Sequence, residues 1–235
     1  MIGENINDGF IWKDLHSRDD MNIVCESLPQ KDIADTRIEQ ITVPGRSGFL
    51  TVEKEGHEPI TKSVTFHLLD EQEVDKVKQW LTGTDKVIFS NEPDRYYKAT
   101  IISKVELNEV IPILHKGIIQ FECQPYGYLL DGENTITINN SGTEIYNPGT
   151  YKSEPHFKIY ATGDIKLIVN EQIMAIKNVV DYVEVDTDLD IVYKDTVSKD
   201  GESYGDCPTI APGTNTISWK GTVTKIEITP RWRCL

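Results

Sequence analysis

The side chains that could do chemistry in this 235-residue chain are scattered rather than convergent. His16, His57, His67, His115 and His156 lie far apart, and none has a second histidine or a cysteine at helical spacing to share a metal with. His67, between Phe66 and Leu68, reads as an ordinary strand histidine. Cys25, Cys123, Cys207 and Cys234 show no Cys-x-x-Cys or Cys/His spacing, so neither a zinc site nor a disulfide framework is expected. They read as buried or incidental thiols, with Cys234 expected at the surface. There is no Gly-x-Ser-x-Gly elbow, His-Glu-x-x-His pair or phosphate-binding loop. Carboxylates are plentiful, yet nothing singles out a pair for acid–base work.

Two stretches invite a ligand. Asp186-Thr187-Asp188-Leu189-Asp190 has the alternating acids that open a calcium loop, but Ile191 stands where glycine is needed and Val197 where the bidentate glutamate belongs. Val183, Val185, Thr187, Leu189 and Ile191 alternate with Glu184, Asp186, Asp188 and Asp190, which predicts a half-buried strand with an acidic outer face. Asn147-Pro148-Gly149 and Trp219 suggest sugar recognition. Trp219, however, falls on the same strand face as Ile217 and is expected in the core. No catalytic residue, cofactor or metal ligand is assigned, and the chain is expected to be non-enzymatic.

The elements that would position these residues are mainly strands. Gly9–Trp12, Asn22–Glu26, Arg37–Val43, Phe49–Val52 and Ser63–Leu68 precede a single helix. Asp70 and Glu73 supply its capping box, Val74, Val77, Trp80 and Leu81 share its apolar face, and Gly83 stops it. Asp75, Lys76, Lys78 and Gln79 form its polar face, so it should lie across a sheet. Strands resume at Lys86–Phe89, Tyr96–Ile101 and Gly117–Cys123. Gln124–Tyr128 then reads as a break. Beyond it come short strands punctuated by Asn139–Gly142, Asn147–Gly149 and Ala211–Gly213, with no convincing helix, the grammar of a β-sandwich. The expectation is a mainly β protein, all-β to α+β. Residues 1–128 form a β domain with one covering helix and residues 129–235 a sandwich.

Two short motifs stand out as contacts. Pro44-Gly45-Arg46-Ser47-Gly48 is a tight loop whose glycines permit the positive φ of a reversal. Its tip, Pro44, Gly45, Arg46 and Gly48, is a candidate subunit contact. Arg231, Trp232 and Arg233 are either a plug closing the second domain or a contact for a neighbouring chain.

Composition excludes several classes. Asp and Glu number 38 against 24 Lys and Arg, a net charge of −14. Such a surface repels phosphate backbones and anionic membranes, so neither sequence-specific nucleic-acid binding nor membrane attachment is expected. No run approaches the ~20 apolar residues of a membrane span. The opening Met1–Asp8 lacks the pattern of a secretory signal, which points to a protein kept in the cytoplasm until assembly moves it.

Taken in order, Gly9-Phe10 with Trp12, Pro44–Gly48, Trp80-Leu81, Arg95–Ala99 and Phe121–Pro125, then Asn147–Thr150, Pro212-Gly213 with Asn215 and Ile217, and Ile228–Arg233 resemble the distal tail proteins of siphophages and prophages of Gram-positive hosts. The resemblance spans nearly the whole chain. It implies a structural protein of the virion tail tip or baseplate: a homo-hexameric ring formed by the first domain, docked between the major tail-tube protein and the tail-associated lysin or fibre protein. The second domain would then be a galectin-like sandwich that projects outward and in some phages holds receptor-binding proteins. The His-x-Asn-Pro-Arg run of true galectins is missing, so sugar binding does not carry over. The acidity fits a conduit that DNA must traverse without sticking, which predicts a negative ring lumen. The rival reading is a carbohydrate-binding protein that recognises host cell-wall glycan through the second domain.

Overall fold

The computed structural model describes residues 8–68, 74–102, 106–111 and 114–235. The proposed capping residues Asp70 and Glu73, and the first seven residues, lie outside that set. The chain is mainly β and antiparallel. It divides into two compact units, residues 1–127 together with Leu235, and residues 128–234.

In the first unit the elements are β1 (Phe10–Trp12), β2 (Leu15–His16), β3 (Ile23–Ser27), β4 (Thr36–Thr42), β5 (Phe49–His57), β6 (Ile60–Leu68), α1 (Val74–Trp80), β7 (Thr84–Phe89), β8 (Arg95–Ile101), β9 (Glu106–Ile111) and β10 (Leu114–Leu129). The main sheet runs β2-β1-β7-β8-β10-β6-β3, with β9 also on β10. Alternation decides which face is inside. Along β6, Ile60, Lys62, Val64, Phe66 and Leu68 are buried, and β10 answers across the ladder with Ile119, Phe121 and Cys123. Each such large apolar side chain contributes ~1.5–3 kcal/mol when fully buried.

Helix α1 closes this core with Val77 and Trp80, and Leu81 beyond its end is also buried. Two indoles fix it in place. The Trp12 indole N–H donates to the Trp80 carbonyl at 3.2 Å, and the Trp80 indole N–H donates to the Trp12 carbonyl at 3.0 Å. Phe10 stacks on Trp80 at 5.6 Å and meets Phe121 edge-on at 5.5 Å. Both indole donors are thereby satisfied inside an apolar cluster, as buried tryptophans require.

The break expected at Gln124–Tyr128 coincides with the division between the two units, although β10 continues through it as a single strand. The ladder to β6 ends at the Cys123–Ile60 pair, so the missing N–H of Pro125 interrupts no bond to that neighbour.

The second unit holds β11 (Ile136–Ile138), β12 (Thr143–Asn147), β13 (His156–Val169), β14 (Gln172–Val179), β15 (Tyr182–Asp186), β16 (Ile191–Lys194), β17 (Val197–Ser198), β18 (Ser203–Tyr204), β19 (Gly213–Thr229) and β20 (Arg233–Cys234). Two long strands organise it. β13 pairs with β19 along almost its whole length, from His156–Thr229 to Val169–Ile217. The first half of β13 also carries β15, while its second half carries β14. Likewise the end of β19 carries β11 and its beginning β12. The pair therefore bends from one layer into the other, with register shifts on β13 between Tyr160 and Ala161 and between Thr162 and Lys166. Gly221 has φ +100, and a Cβ there would lie 2.5 Å from the Asp164 carbonyl oxygen, so only glycine lets the strands cross this corner. Phe157, Ile159, Val183, Val185, Ile226 and Ile228 from one layer meet Leu167, Val169, Met174, Ile176 and Ile217 from the other in one core.

Two sequence expectations fail here. Cys234 is buried. Val183–Ile191 is not one strand: β15 ends at Asp186, whose carboxylate accepts the backbone N–H groups of Asp188 at 3.1 Å and Leu189 at 3.3 Å. That local capping stabilises a turn instead of an extended chain, and Leu189 is left exposed. Trp219 does face inward with Ile217, opposite Leu167, and packs half-buried against the core.

Candidate functional site

One element of the first unit has no core of its own. β4 and β5 pair with each other in a separate two-stranded sheet. Every residue of β4 is exposed, and so is most of β5. Pro44, Gly45, Arg46 and Gly48 form the tip of this arm, with Gly45 at φ +80 and Gly48 at φ +84, and the Arg46 N–H donates to the Val43 carbonyl at 3.2 Å. The Arg46 side chain is exposed there.

Register sorts the arm's side chains into two faces. Ile41 opposes Leu50 and Glu39 opposes Val52, so Ile41, Leu50, Val52 and Val43 share one face near the tip. On the other, Ile38 and Phe49 are separated by the Gln40–Thr51 pair. Phe49 is 56% exposed, Leu50 48% and Ile41 41%. A two-stranded ribbon with no covered face is marginal in water, and an exposed apolar ribbon invites a partner.

The root of the arm is held firmly. Its base closes where the Glu58 N–H meets the Asp35 carbonyl at 2.8 Å, and His57 Nδ1 lies 3.4 Å from the Tyr126 hydroxyl. Arg37, His57, Lys98, Glu122 and Tyr126 line a cleft of about 450 Å³ beside it. The segment entering the arm is tied down by a buried polar cluster. Lys62, fully buried, donates to the Gln30 carbonyl at 3.1 Å and pairs with Glu92 at 3.4 Å. Its ammonium sits 4.5 Å from the Tyr97 ring centre, and the Tyr97 hydroxyl donates to Glu92 at 2.9 Å. Burial and the Glu92 carboxylate push the Tyr97 hydroxyl well above its ordinary range, so it stays a donor. Asn91 adds a bond to the Pro29 carbonyl at 2.8 Å.

The other proposed contact is placed quite differently. Trp232 is 3% exposed and belongs to the second unit's core. On either side of it the arginines reach carboxylates bidentately: Arg231 to Asp186 at 2.7 and 2.9 Å, and Arg233 to Glu154 at 2.7 and 2.6 Å. Burial alone would raise the Asp186 carboxyl, but the hydrogen bonds and charge of Arg231 outweigh it and hold the group below the usual carboxylate range. Backbone bonds from Leu129 to Trp232 and from Arg231 to Gly132 complete the closure. Gly132 is needed there, since a Cβ would lie 2.4 Å from the Trp232 nitrogen.

Asn147 and Asn215, in the turn motifs noted above, are also buried. Asn147 donates to the Ile210 carbonyl at 3.1 Å, and Asn215 donates to the Ala211 carbonyl at 2.7 Å. Among the described residues no cluster of His, Cys, Asp and Glu is arranged to hold a metal. What sequence reasoning missed is the exposure of the arm's strands: their Ile, Leu, Val and Phe residues are those of strands which pack on something.

No family model matches the chain, and no curated protein matches it. Among solved structures, the fold is that of a phage tail-hub protein. The chain is similar to the SPP1 Dit protein, a paradigm of the hub adsorption apparatus in phages that infect Gram-positive bacteria. The TM-score is 0.74 at 13% sequence identity, over 94% of this chain and 97% of that one. It is also similar to a chain of the phage p2 baseplate in its activated conformation with Sr, at 12% identity over 88% of this chain and 92% of that one, but the TM-score of 0.43 carries no argument. At such identities the likeness is one of fold, and in fold the resemblance to siphophage distal tail proteins holds.

Proposed function

We propose that this chain is a structural component of a phage tail tip, in which six copies close into a ring through the domain of residues 1–128. The observation that carries the proposal is the β4–β5 arm, an apolar ribbon rooted by a buried ion pair and covered by none of the described residues of its own unit. In a closed ring each copy must offer one surface and receive another. The arm is the offered surface, with Ile41, Leu50 and Val43 as its apolar contact and Arg46 at its tip. The domain of residues 129–235 projects from the ring, with Arg231, Trp232 and Arg233 as its internal plug. The ring joins the tail-tube protein to the tail-associated lysin or fibre protein, and the projecting domain is where receptor-binding proteins would be held. This places the protein in the virion, after assembly in the host cytoplasm, with no catalysis of its own. The fold shared with SPP1 Dit supports this reading. The rival, glycan recognition, draws no support from Asn147 or Trp219, since both serve the fold.

Native mass spectrometry tests it. The monomer is 26.7 kDa, so a closed hexamer is expected at about 160 kDa. The Ile41→Asp/Leu50→Asp protein is expected to remain monomeric. A hexamer in that variant would remove the arm from the interface. A parent protein that stays monomeric even when mixed with its tail-tube protein would end the ring proposal.

A further inference from the structure

The outward faces of the second unit's two layers are charged in opposite styles. On the layer built from β11, the end of β19, the start of β13, β15 and β16, basic side chains have acidic partners. Lys158 pairs with Glu184, Lys194 with Asp181, and Lys225 with Glu227. On the other layer, built from β12, the start of β19, the end of β13, β14 and β18, the outward lysines are Lys166, Lys177 and Lys220, all exposed. Among the described residues none of the three forms an ion pair or a side-chain hydrogen bond; Lys177 lies 4.8 Å from the centre of the Tyr204 ring.

Register makes this costly. Lys166 and Lys220 are direct cross-strand partners on β13 and β19, and like charges placed opposite one another destabilise a sheet. The chain has net charge −14 and so has no shortage of acidic residues to place there. Beside the lysines the same face carries apolar side chains. Ile173 is 57% exposed and opposes the half-buried Ile168, while Tyr204 is 54% exposed and opposes Ala175. The carboxylates nearby are otherwise placed: Glu144, opposite Thr216, lies on the far strand of the layer, the exposed Asp164 accepts the Asn178 backbone N–H at 3.1 Å, and Glu202 pairs with Lys199.

We infer that this face docks an acidic protein surface with an apolar centre. An anion between Lys166 and Lys220 turns their repulsion into attraction. Ile168, Ile173 and Tyr204 supply the desolvated patch that a protein partner uses and a simple polyanion does not. The inference does not depend on ring closure.

The test uses the full chain and defined probes at low salt: poly-L-glutamate, a random glutamate–tyrosine copolymer, phosphatidylglycerol vesicles and dextran sulfate. The copolymer is expected to bind more tightly than polyglutamate, with affinity falling as salt rises. Lys166→Glu is expected to weaken it at least tenfold while leaving Tm unchanged or higher, because that variant sets opposite charges across the strands. Ile173→Ser is expected to abolish the copolymer's advantage over polyglutamate. No binding, equal binding by Lys166→Glu, or an Ile173→Ser protein that keeps the preference would overturn the inference. Binding to vesicles or dextran sulfate but not to the copolymer would overturn it too, and would reassign the face to a membrane or a polysaccharide.

Discussion

β4–β5 and β13–β19 are both antiparallel pairs that carry large apolar side chains, yet they meet opposite fates. In the second, Phe157, Ile159, Leu167 and Val169 face Ile217, Ile226 and Ile228 inside one core. In the first, Ile41, Leu50 and Phe49 stand in solvent. Strand formation depends on local pattern, whereas burial depends on what else the chain brings to that face. One pair is completed within its own unit and the other is left for a second molecule.

The sharpest way to test that contrast is to remove apolar side chains from each. Trp232→Ala, which empties the plug of the second unit, is expected to cost ~3–5 kcal/mol in denaturant unfolding of that unit. Ile41→Asp/Leu50→Asp should shift the monomer's stability by no more than ~0.5 kcal/mol. An equal loss from both would mean that the arm packs within the monomer.

A smaller but more pointed effect is expected at the arm's root. Lys62→Met strands Glu92 without its buried cation, and removing one member of such a pair costs ~3 kcal/mol. Hydrogen exchange should then rise first in residues 28–35 and in β4, whose entry Lys62 holds, while β13 and β19 are unaffected. Uniform exchange across the first unit would show that Lys62 serves the core and not the arm.

The smallest effect concerns acid. Asp186 is held below its ordinary value of 3.8 in the folded chain, so its pairing with Arg231 stabilises fully above about pH 4 and is lost as pH falls through the lower folded value. Arg231→Met should flatten that part of the pH–stability curve for the second unit and leave the arm's exchange unchanged. A curve identical to the parent's would show that the pair contributes nothing.

Much of the fold was legible. Alternation marked most strands, and Val77, Trp80 and Leu81 marked the helix face. Pro44 to Gly48 was readable as a reversal because two glycines can take positive φ. Other features depended on partners that a sequence does not reveal. Asp186 alternates like a strand residue, but its carboxylate caps the following turn and binds Arg231, 45 residues away. Pro125 and Gly127 look like a break in the strand, although the ladder they would interrupt has already ended. The arm's tip was visible, but its lack of a covering layer was not, since Ile38, Ile41 and Phe49 are the residues a covered strand would also use. The Lys166–Lys220 juxtaposition follows from register alone, and nothing local announces it.

The bend that carries β13 and β19 through both layers also sets a clock for synthesis. β11, β12 and half of β13's ladder all need β19, residues 213–229, as their neighbour. Until that stretch has left the ribosome, β13 has only β14 and β15 to pair with, β11 and β12 lack their neighbour, and neither layer can be completed. Contacts this distant in sequence also form slowly. The second unit therefore matures late and nearly all at once, whereas the short β4–β5 hairpin can form as soon as it emerges.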